Sequence, residues 1–310
     1  DRLIRAVGEP KERFLEDPTR ILRAIRFAVR FNFTIEENTL KAMKELKGEI
    51  LKPIINNQDI AKGDPFGARD KQAPKPKIQT PKPKENTNER IQVHEFEHSN
   101  SELNSKFEIR NSDFAQRVAW EMIREEFFKS LQADALATIH WYDEVGLLPE
   151  LFPEIEAMKG VEQPANWHAE GDVYTHTLLA LEKLPRNAPF VTKLATLLHD
   201  IGKVDTFLPP EITGDRIRFS NHDVVGADEA AAICRRLHCP NDLTEGVSWL
   251  VKNHLRMLFF FQMKKDKQKS FARHPLFDEL ITLSRADASA SIRSDGSVDL
   301  KFVESVEKVL

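Results

Sequence analysis

The chain has 310 residues and a formal net charge of −4, with 41% apolar and 30% charged residues. Such a composition is ordinary for a globular protein, and at about 100–200 residues per domain the length favours two domains. The longest apolar runs span only a few residues, which excludes a membrane-spanning helix. Two cysteines, Cys234 and Cys239, are too few for a disulfide framework or a four-ligand zinc site. We therefore expect reduced thiols and a cytoplasmic protein.

Charge and composition divide the chain. Residues 1–53 carry a net charge of +3 and residues 113–310 carry −8, so we expect any polyanion to bind at the amino-terminal end. Residues 54–112 include a Pro- and Lys-rich run at 74–84 and lack sustained periodicity, which predicts a disordered insertion. We therefore predict amino-terminal helices at 1–53, the insertion at 54–112, a helical continuation at 113–160 and a carboxy-terminal domain at 161–310.

Outside the insertion, the sequence predicts an all-α fold. From Pro18 to Phe31, apolar residues recur on one face of a helix and arginines lie on the opposite face. Further helical patterns cover 39–46, 113–131, 133–145, 173–184, 189–201, 222–237, 243–257, 275–290 and 299–309. Strand signals are scarce, although Arg216–Phe219 alternates and predicts a short ribbon.

Asp17 and Pro18 predict the start of the first of these helices. Asp accepts hydrogen bonds from free backbone N–H groups, and Pro fits the first helical position. The carboxylate of Asp17 and the guanidinium of Arg20 lie one turn apart, so together they could match the Watson–Crick edge of a base. The neighbouring arginines, Arg23 and Arg26, could contact phosphate. The open alternative is a helix cap beside a solvated arginine face.

Three segments resemble the class II tRNA nucleotidyltransferase and poly(A) polymerase family. Residues 13–28, RFLEDPTRILRAIRFA, resemble its neck, residues 117–121, RVAWE, its second neck motif, and residues 146–154, GLLPELFPE, its body. The resemblance implies tRNA as a partner and recognition of the CTP or ATP base by Asp17 and Arg20. The further nucleotide- or RNA-binding residues that we expect are Arg23, Arg26 and Arg117.

The catalytic head of that family has no counterpart in this sequence. The head carries a Gly-Ser turn and an Asp-x-Asp pair of metal-binding aspartates, whereas this sequence has no Asp-x-Asp pair and no Gly-rich phosphate loop. Phosphoryl transfer by that centre needs the two metal ions that the aspartates hold. We therefore expect a fragment of a CCA- or A-adding enzyme, which would add nucleotides only with the head present.

A second group of residues points to metal chemistry. Residues 197–203 read LLHDIGK, so an apolar helix ends in adjacent His199 and Asp200, and Gly202 lets the chain turn. Burying that pair is costly unless it is paired or coordinates a metal. Further candidates lie upstream and downstream: His176, His222, His254 and Asp287. Taken singly, a helical histidine is more often a core or surface group than a ligand.

The ordered set resembles the HD superfamily of metal-dependent phosphohydrolases, and residues 167–173, WHAEGDV, resemble the entry to the version found in several tRNA nucleotidyltransferases. The resemblance implies a divalent metal, Mn, Fe, Ni, Co or Mg, held by His176, His199, Asp200 and Asp287. Lys203 would neutralise the substrate phosphate. His222 and His254 would hold a second metal or, as an open alternative, donate hydrogen bonds to the phosphate.

The expected activity is hydrolysis of phosphomonoesters or 2′,3′-cyclic phosphodiesters, the latter being ends that arise on damaged tRNA. Two alternatives stay open: an RNA-binding module whose HD domain is silent, and a phosphohydrolase of free nucleotides. The run His94–His98 matches the His-Glu-x-x-His protease pattern but lies in the predicted insertion, so we expect no protease site. Phe259–Phe261, beside several lysines, could touch RNA, although such a cluster is more often core.

Overall fold

The computed structural model describes residues 2–52 and 118–309, which lie in one compact unit. Their secondary structure is almost entirely helical, so the predicted all-α fold is confirmed. No helix within these ranges is long and apolar enough to cross a membrane. The predicted insertion at 54–112, its motif at 94–98 and Arg117 lie outside the described residues. The division at residue 160 stays a prediction.

The amino-terminal segment contains α1 (Pro10–Glu16), α2 (Thr19–Phe31) and α3 (Glu37–Leu46), followed by a 3-10 turn at Lys47–Ile50. Two short strands, β1 (Leu3–Ile4) and β2 (Thr34–Ile35), pair in parallel with Leu3 opposite Thr34. The sequence analysis did not predict α1 or this ribbon. Helix α2 begins at Thr19, one residue later than predicted, and the Asp17 carboxylate accepts the Thr19 N–H at 3.0 Å.

Helix α2 packs its apolar face against α4 (Trp120–Ala133), which continues the bundle after the gap. Ile21, Leu22 and Ile25 are fully buried there, as the 3.6-residue period predicts. Helix α5 (Ala135–Val145) ends at Gly146, whose φ of 78° suits glycine. Two single-turn helices, α6 (Leu148–Leu151) and α7 (Pro153–Glu156), follow. Within the described residues, the helix predicted from 113 begins at Trp120. The helix predicted from 133 begins at Ala135.

The carboxy-terminal helices surround a central helix. They are α8 (Val173–Lys183), α9 (Phe190–Leu198), α10 (Pro210–Thr213), α11 (His222–Arg236), α12 (Asn241–Asn253), α13 (Lys265–Ala272), α14 (Phe277–Ala290) and α15 (Lys301–Glu307). Helix α9 packs against α8, α12 and α14, and every residue from Thr192 to Leu198 is buried. The ends of α8, α9, α11 and α12 therefore meet in one region.

Two predicted helices in this part end early. The helix predicted at 189–201 ends at Leu198 and a 3-10 turn follows at Ile201–Lys203, because the backbone of Asp200 leaves the helical region with φ −106° and ψ 9°. The helix predicted at 243–257 ends at Asn253, and a 3-10 helix covers Leu255–Gln262. The predicted ribbon is present: β4 (Arg218–Phe219) pairs antiparallel with β3 (Phe207–Leu208).

Gly202 has a different role from the one that its sequence context suggests. A Cβ atom at this position would lie 2.5 Å from the Gly226 nitrogen and closer still to the His222 carbonyl oxygen. Glycine is therefore required for the close approach of the 3-10 turn to α11, not for the direction of the chain. This approach places the start of α11 beside Asp200.

We expect Gly202→Ala to lower the free energy of unfolding by about 1–3 kcal/mol, because the methyl group would force the turn and α11 apart. Urea unfolding followed by circular dichroism measures this change. Gly48→Ala is the matched control, since a Cβ atom there would meet no atom within 4 Å. Equal stabilities of the two variants would contradict the close-approach role.

Candidate metal centre

The predicted ligands converge at the ends of the central helices. His176 lies on α8, His199 and Asp200 follow α9, His222 begins α11, His254 follows α12 and Asp287 lies on α14. The imidazoles of His176, His199, His222 and His254 are buried, as is Asp200. The structure therefore brings together all six residues that the sequence analysis named as candidate metal ligands.

The carboxylates of Asp200 and Asp287 lie within 4 Å of the Nε2 atoms of His176 and His199. His176 Nε2 lies 3.1 Å from Asp287 Oδ1 and 3.7 Å from Asp200 Oδ2. His199 Nε2 lies 3.2 Å from the same Asp200 Oδ2 and 3.8 Å from Asp287 Oδ1. Asp287 Oδ1 thus lies near both imidazole nitrogens, and one ligand atom from each of His176, His199 and Asp200 lies within 4.8 Å of the other two. Two imidazoles and two carboxylates are a donor set that suits first-row divalent metals.

The other oxygen of Asp200 faces a second pair of imidazoles. Its Oδ1 lies 3.4 Å from His222 Nε2 and 3.7 Å from His254 Nε2. One ligand atom from each of Asp200, His222 and His254 lies within 4.8 Å of the other two, as it does for His176, His199 and Asp200. Asp200 therefore belongs to both groups, and each group could hold a cation.

Backbone carbonyl groups determine which nitrogen of each imidazole faces the centre. The Nδ1 atoms of His199, His222 and His254 lie 2.8, 2.9 and 2.5 Å from the carbonyl oxygens of the residues three positions earlier. Since a carbonyl oxygen only accepts, Nδ1 carries a proton, and in the neutral ring Nε2 has a free lone pair. In the described residues all three Nε2 atoms are buried without a hydrogen-bond partner. Buried lone pairs aimed at two carboxylates fit a bound cation.

His176 is oriented by a carboxylate instead. Its Nδ1 donates to Glu170 Oε1 at 2.8 Å, and the same oxygen accepts from His168 Nδ1 at 2.7 Å. Glu170 Oε2 accepts the Ile292 N–H at 2.9 Å, and the side chain is only 1% exposed. The sequence analysis assigned no role to Glu170 or His168. An acidic residue just before a helix that carries a ligand is the signal that could have found Glu170.

The acidic residues of the centre are held in their ionised form. Burial opposes ionisation of Asp200, but the charges of His199 and Lys203 hold its pKa well below the usual value. Burial likewise opposes ionisation of Asp287, yet the hydrogen bond from His176 lowers its pKa. For Glu170, the hydrogen bonds from His168 and His176 outweigh burial and lower the pKa to about 2. The centre therefore presents negative charge in a buried site.

The pKa values of His254 and His176 are shifted in opposite directions. Burial lowers the pKa of His254 to about 4, so its imidazole is neutral near pH 7. Burial also disfavours the charged form of His176, but hydrogen bonds with Asp287 and Glu170 outweigh it and raise the pKa to about 9. A cation at this position would replace the His176 proton.

Lys203 is buried beside the centre. Its Nζ atom donates to Asp200 Oδ2 at 2.6 Å and to Gln163 Oε1 at 2.7 Å. The ammonium thus balances part of the charge of Asp200 and also lines the cavity that contains the centre. Gln163 is a further residue that the sequence analysis missed, because it is 40 positions away from Lys203.

The predicted nucleotide-binding residues lie in the amino-terminal part of the unit. Asp17 Oδ2 lies 3.3 Å from Arg23 Nη1 and 3.9 Å from Arg20 Nε, and all three side chains are partly exposed. Arg20 also donates to the Arg13 carbonyl at 2.8 Å. Arg26 differs, because its Nε atom lies 3.0 Å from Glu126 Oε2 in a mostly buried ion pair that joins α2 to α4. The structure thus keeps Asp17, Arg20 and Arg23 together and separates Arg26 from them.

Comparison with known proteins identifies the domain that contains this site. Residues 172–291 match the family model of the HD domain, and this range contains the six predicted ligands. The chain therefore carries an HD domain. Glu170, His168 and Gln163 lie before the matched range.

The curated relatives confirm the resemblance to tRNA nucleotidyltransferases. The chain is 32% identical over 203 residues to an A-adding tRNA nucleotidyltransferase of Deinococcus radiodurans, covering 62% of this chain and 45% of that protein. It is 25% identical over 291 residues to a multifunctional CCA protein of Neisseria gonorrhoeae, covering 91% of this chain and 54% of that protein. The chain thus spans about half the length of these relatives. A solved CCA-adding enzyme in complex with ATP aligns with 99% of this chain and 50% of its own, at 18% identity and a TM-score of 0.43.

We expect Glu170→Gln to weaken metal binding about 10- to 100-fold, because the amide has one acceptor oxygen and cannot orient His176 as a carboxylate does. Calorimetric titration of chelator-treated protein with Mn²⁺ measures the affinity. Glu182→Gln is the matched control, since Glu182 lies on α8, the helix that carries His176, but its side chain is exposed to solvent. An affinity unchanged by the substitution at Glu170 would show that the carboxylate does not support His176.

Proposed function

We propose that this chain is a metal-dependent phosphohydrolase of phosphomonoesters or 2′,3′-cyclic phosphodiesters at RNA 3′ ends. One observation carries the proposal: three buried histidine Nε2 atoms without hydrogen-bond partners in the described residues face two carboxylates whose pKa values are depressed. Leaving such groups unpaired in a buried site is costly, and a divalent cation would satisfy them together. The HD domain and the tRNA-processing relatives support the class of reaction and of substrate.

The proposed roles follow from the positions of the side chains. His176, His199, Asp200 and Asp287 would hold the first cation, which would act as a Lewis acid toward the phosphate and make water a stronger nucleophile. Lys203 would hold Asp200 in place and add positive charge beside the phosphate. Glu170 orients His176, and the backbone carbonyls orient the other imidazoles.

The geometry favours one alternative for His222 and His254. Each donates its Nδ1 proton to a carbonyl oxygen, so Nε2 in the neutral ring is an acceptor. An acceptor nitrogen cannot donate a hydrogen bond to phosphate but can bind a cation. We therefore assign them to a second metal that shares Asp200 with the first.

The same observation argues against a silent HD domain. A domain that only positions RNA would gain nothing from four buried imidazoles around two ionised carboxylates, whereas hydrophobic replacements of similar volume would be more stable. The relatives favour RNA ends over free nucleotides as the substrate, since one of them is named as a tRNA nucleotidyltransferase. We therefore propose tRNA as the partner.

We further propose that Asp17, Arg20 and Arg23 form a nucleotide-binding surface. Both arginines lie within 4 Å of the Asp17 carboxylate, and all three side chains remain partly exposed. Together they offer a carboxylate and two guanidinium groups to a ligand. Arg26 is excluded from this surface by its ion pair with Glu126. Nucleotide addition itself, for which the relatives are named, would depend on parts of those proteins that this chain does not cover.

His199→Ala should abolish hydrolysis of adenosine 2′,3′-cyclic phosphate and lower the metal content of the purified protein, because the metal would lose one of its nitrogen ligands. The measurements are product formation with Mn²⁺, Ni²⁺ or Mg²⁺, with chelator as a control, and elemental analysis. His140→Ala, on the exposed side of α5, should leave both unchanged. Activity that resists the chelator, or full activity of a folded His199→Ala protein, would refute the proposal.

Arg20→Ala should weaken binding of ATP and CTP about tenfold, because a charged hydrogen-bond donor to the base or phosphate is lost. Saturation-transfer NMR with either nucleotide measures the dissociation constant in chelator, which silences the metal centre. Lys11→Ala is the control, since Lys11 on α1 makes a separate exposed ion pair with Glu45. Equal losses in the two variants would mean general charge attraction, not a site.

A further inference from the structure

The cavity that contains the metal centre extends to an exposed tryptophan. It has a volume of about 640 Å³, within the range of sites that hold a whole small-molecule ligand. Asp200, His222 and Asp287 line one part of it, and Trp167 lines another. Trp167 is 53% exposed, although tryptophan is highly buried on average. An exposed tryptophan in the wall of a polar cavity offers a flat apolar surface to a ligand.

Trp167 is held in place by contacts with the segment after α14. The backbone N–H of Trp167 donates to the Pro164 carbonyl at 3.0 Å, and the backbone N–H of Ala169 donates to the Ile292 carbonyl at 2.7 Å. The guanidinium of Arg293 lies over the Trp167 ring at 5.2 Å from its centroid. The tryptophan is therefore preorganised before any ligand binds, which lowers the entropic cost of binding.

Arg293 is not free to act as a phosphate ligand. Its Nη2 atom lies 2.5 Å from Asp299 Oδ2, so its charge is already paired, and Asp299 also lines the cavity. The planar guanidinium supports the ring of Trp167, as arginine does when it stacks on an aromatic face. This pair serves to position the tryptophan.

Trp167 is close in the chain and in space to the metal centre. The next residue, His168, has its ring centroid 5.0 Å from that of His176 and shares Glu170 with it. Asp200, His222 and Asp287 line the same cavity as Trp167, so one small molecule could contact these residues with one end and Trp167 with the other. The cations Lys203, Arg216 and Arg218 line the same cavity and favour an anionic group there.

We infer that Trp167 is the stacking platform for the nucleobase of the substrate, with Arg293 as its positioning residue. A ligand that fits both parts needs a phosphate ester at one end and a planar, apolar ring at the other, which is the chemistry of a nucleotide. Base–aromatic stacking tolerates any base, so the platform would select nucleotides over other phosphate esters without reading sequence. The inference rests on the proposed hydrolase, since the phosphate has to lie at the metal centre. Trp167 and Arg293 both lie outside the range that matches the HD family model.

The test compares two cyclic phosphates that differ only in the base. Adenosine 2′,3′-cyclic phosphate carries adenine, and methyl ribofuranoside 2′,3′-cyclic phosphate carries a methoxy group in its place. We expect Trp167→Ala to lower kcat/KM for the adenosine compound about 5- to 100-fold and to leave that for the base-free compound unchanged. Trp167→Phe should keep most of the preference, because phenylalanine also presents a flat ring.

Phe259→Ala is the matched control. Phe259 is also 53% exposed but does not line the cavity, so its loss should change neither rate. Thermal unfolding of each variant checks the fold. Equal effects of Trp167→Ala on the two substrates, or no effect on either, would overturn the stacking role.

A binding arm separates this inference from the proposed activity. Adenosine 3′-monophosphate is titrated calorimetrically into wild type, Trp167→Ala and Trp167→Phe, with methyl ribofuranoside 3-phosphate as the base-free comparison. If no variant hydrolyses either cyclic phosphate but adenosine 3′-monophosphate binds in a Trp167-dependent way, the hydrolase proposal fails and the platform stands. If wild type binds the two phosphates equally, the platform is refuted whatever the enzyme hydrolyses.

Discussion

The buried carboxylate of Asp200 is the constraint on which this structure depends. Its two oxygens face two different pairs of imidazoles, and its charge is far from water. Burying an unbalanced carboxylate would be strongly destabilising, so the ammonium of Lys203 at 2.6 Å and the surrounding histidines are required by the charge itself. The charged and polar groups around Asp200 come from five helices, so these helices must approach one another at the site. They are α8, α9, α11, α12 and α14.

Several features of the fold have their reason in that requirement. Helix α9 is buried on all sides and ends at the site, so its last residues can be ligands without a long loop. Gly202 permits the close approach that brings His222 to Asp200. Carbonyl groups three residues before His199, His222 and His254 orient the rings locally, whereas Glu170 orients His176 from outside its helix. Rigid ligands at a site lower the cost of binding a cation.

The amino-terminal part of the unit shows how one helix serves two purposes. The apolar face of α2 packs on α4, and the arginines predicted to lie opposite do not all behave alike. Arg20 and Arg23 stay near Asp17 and remain partly exposed, but Arg26 makes a mostly buried ion pair with Glu126. Helical periodicity placed all of them on one side, and only the position of α4 distinguished them, since a helix pattern contains no information about which neighbour will cover its edge.

The sequence by itself determined the all-α class and most helices, because helix periodicity and caps are local patterns. The six candidate metal ligands were predicted from the resemblance of their ordered set to the HD superfamily. Tertiary structure alone decided that Asp200 bridges two imidazole pairs, that Glu170 supports His176 and that Trp167 lines the same cavity. His176 and Asp287 are 111 positions apart, and their contact exists only because α8 packs on α14. Contacts of this kind depend on how helices pack against each other, and a single sequence does not contain the packing geometry.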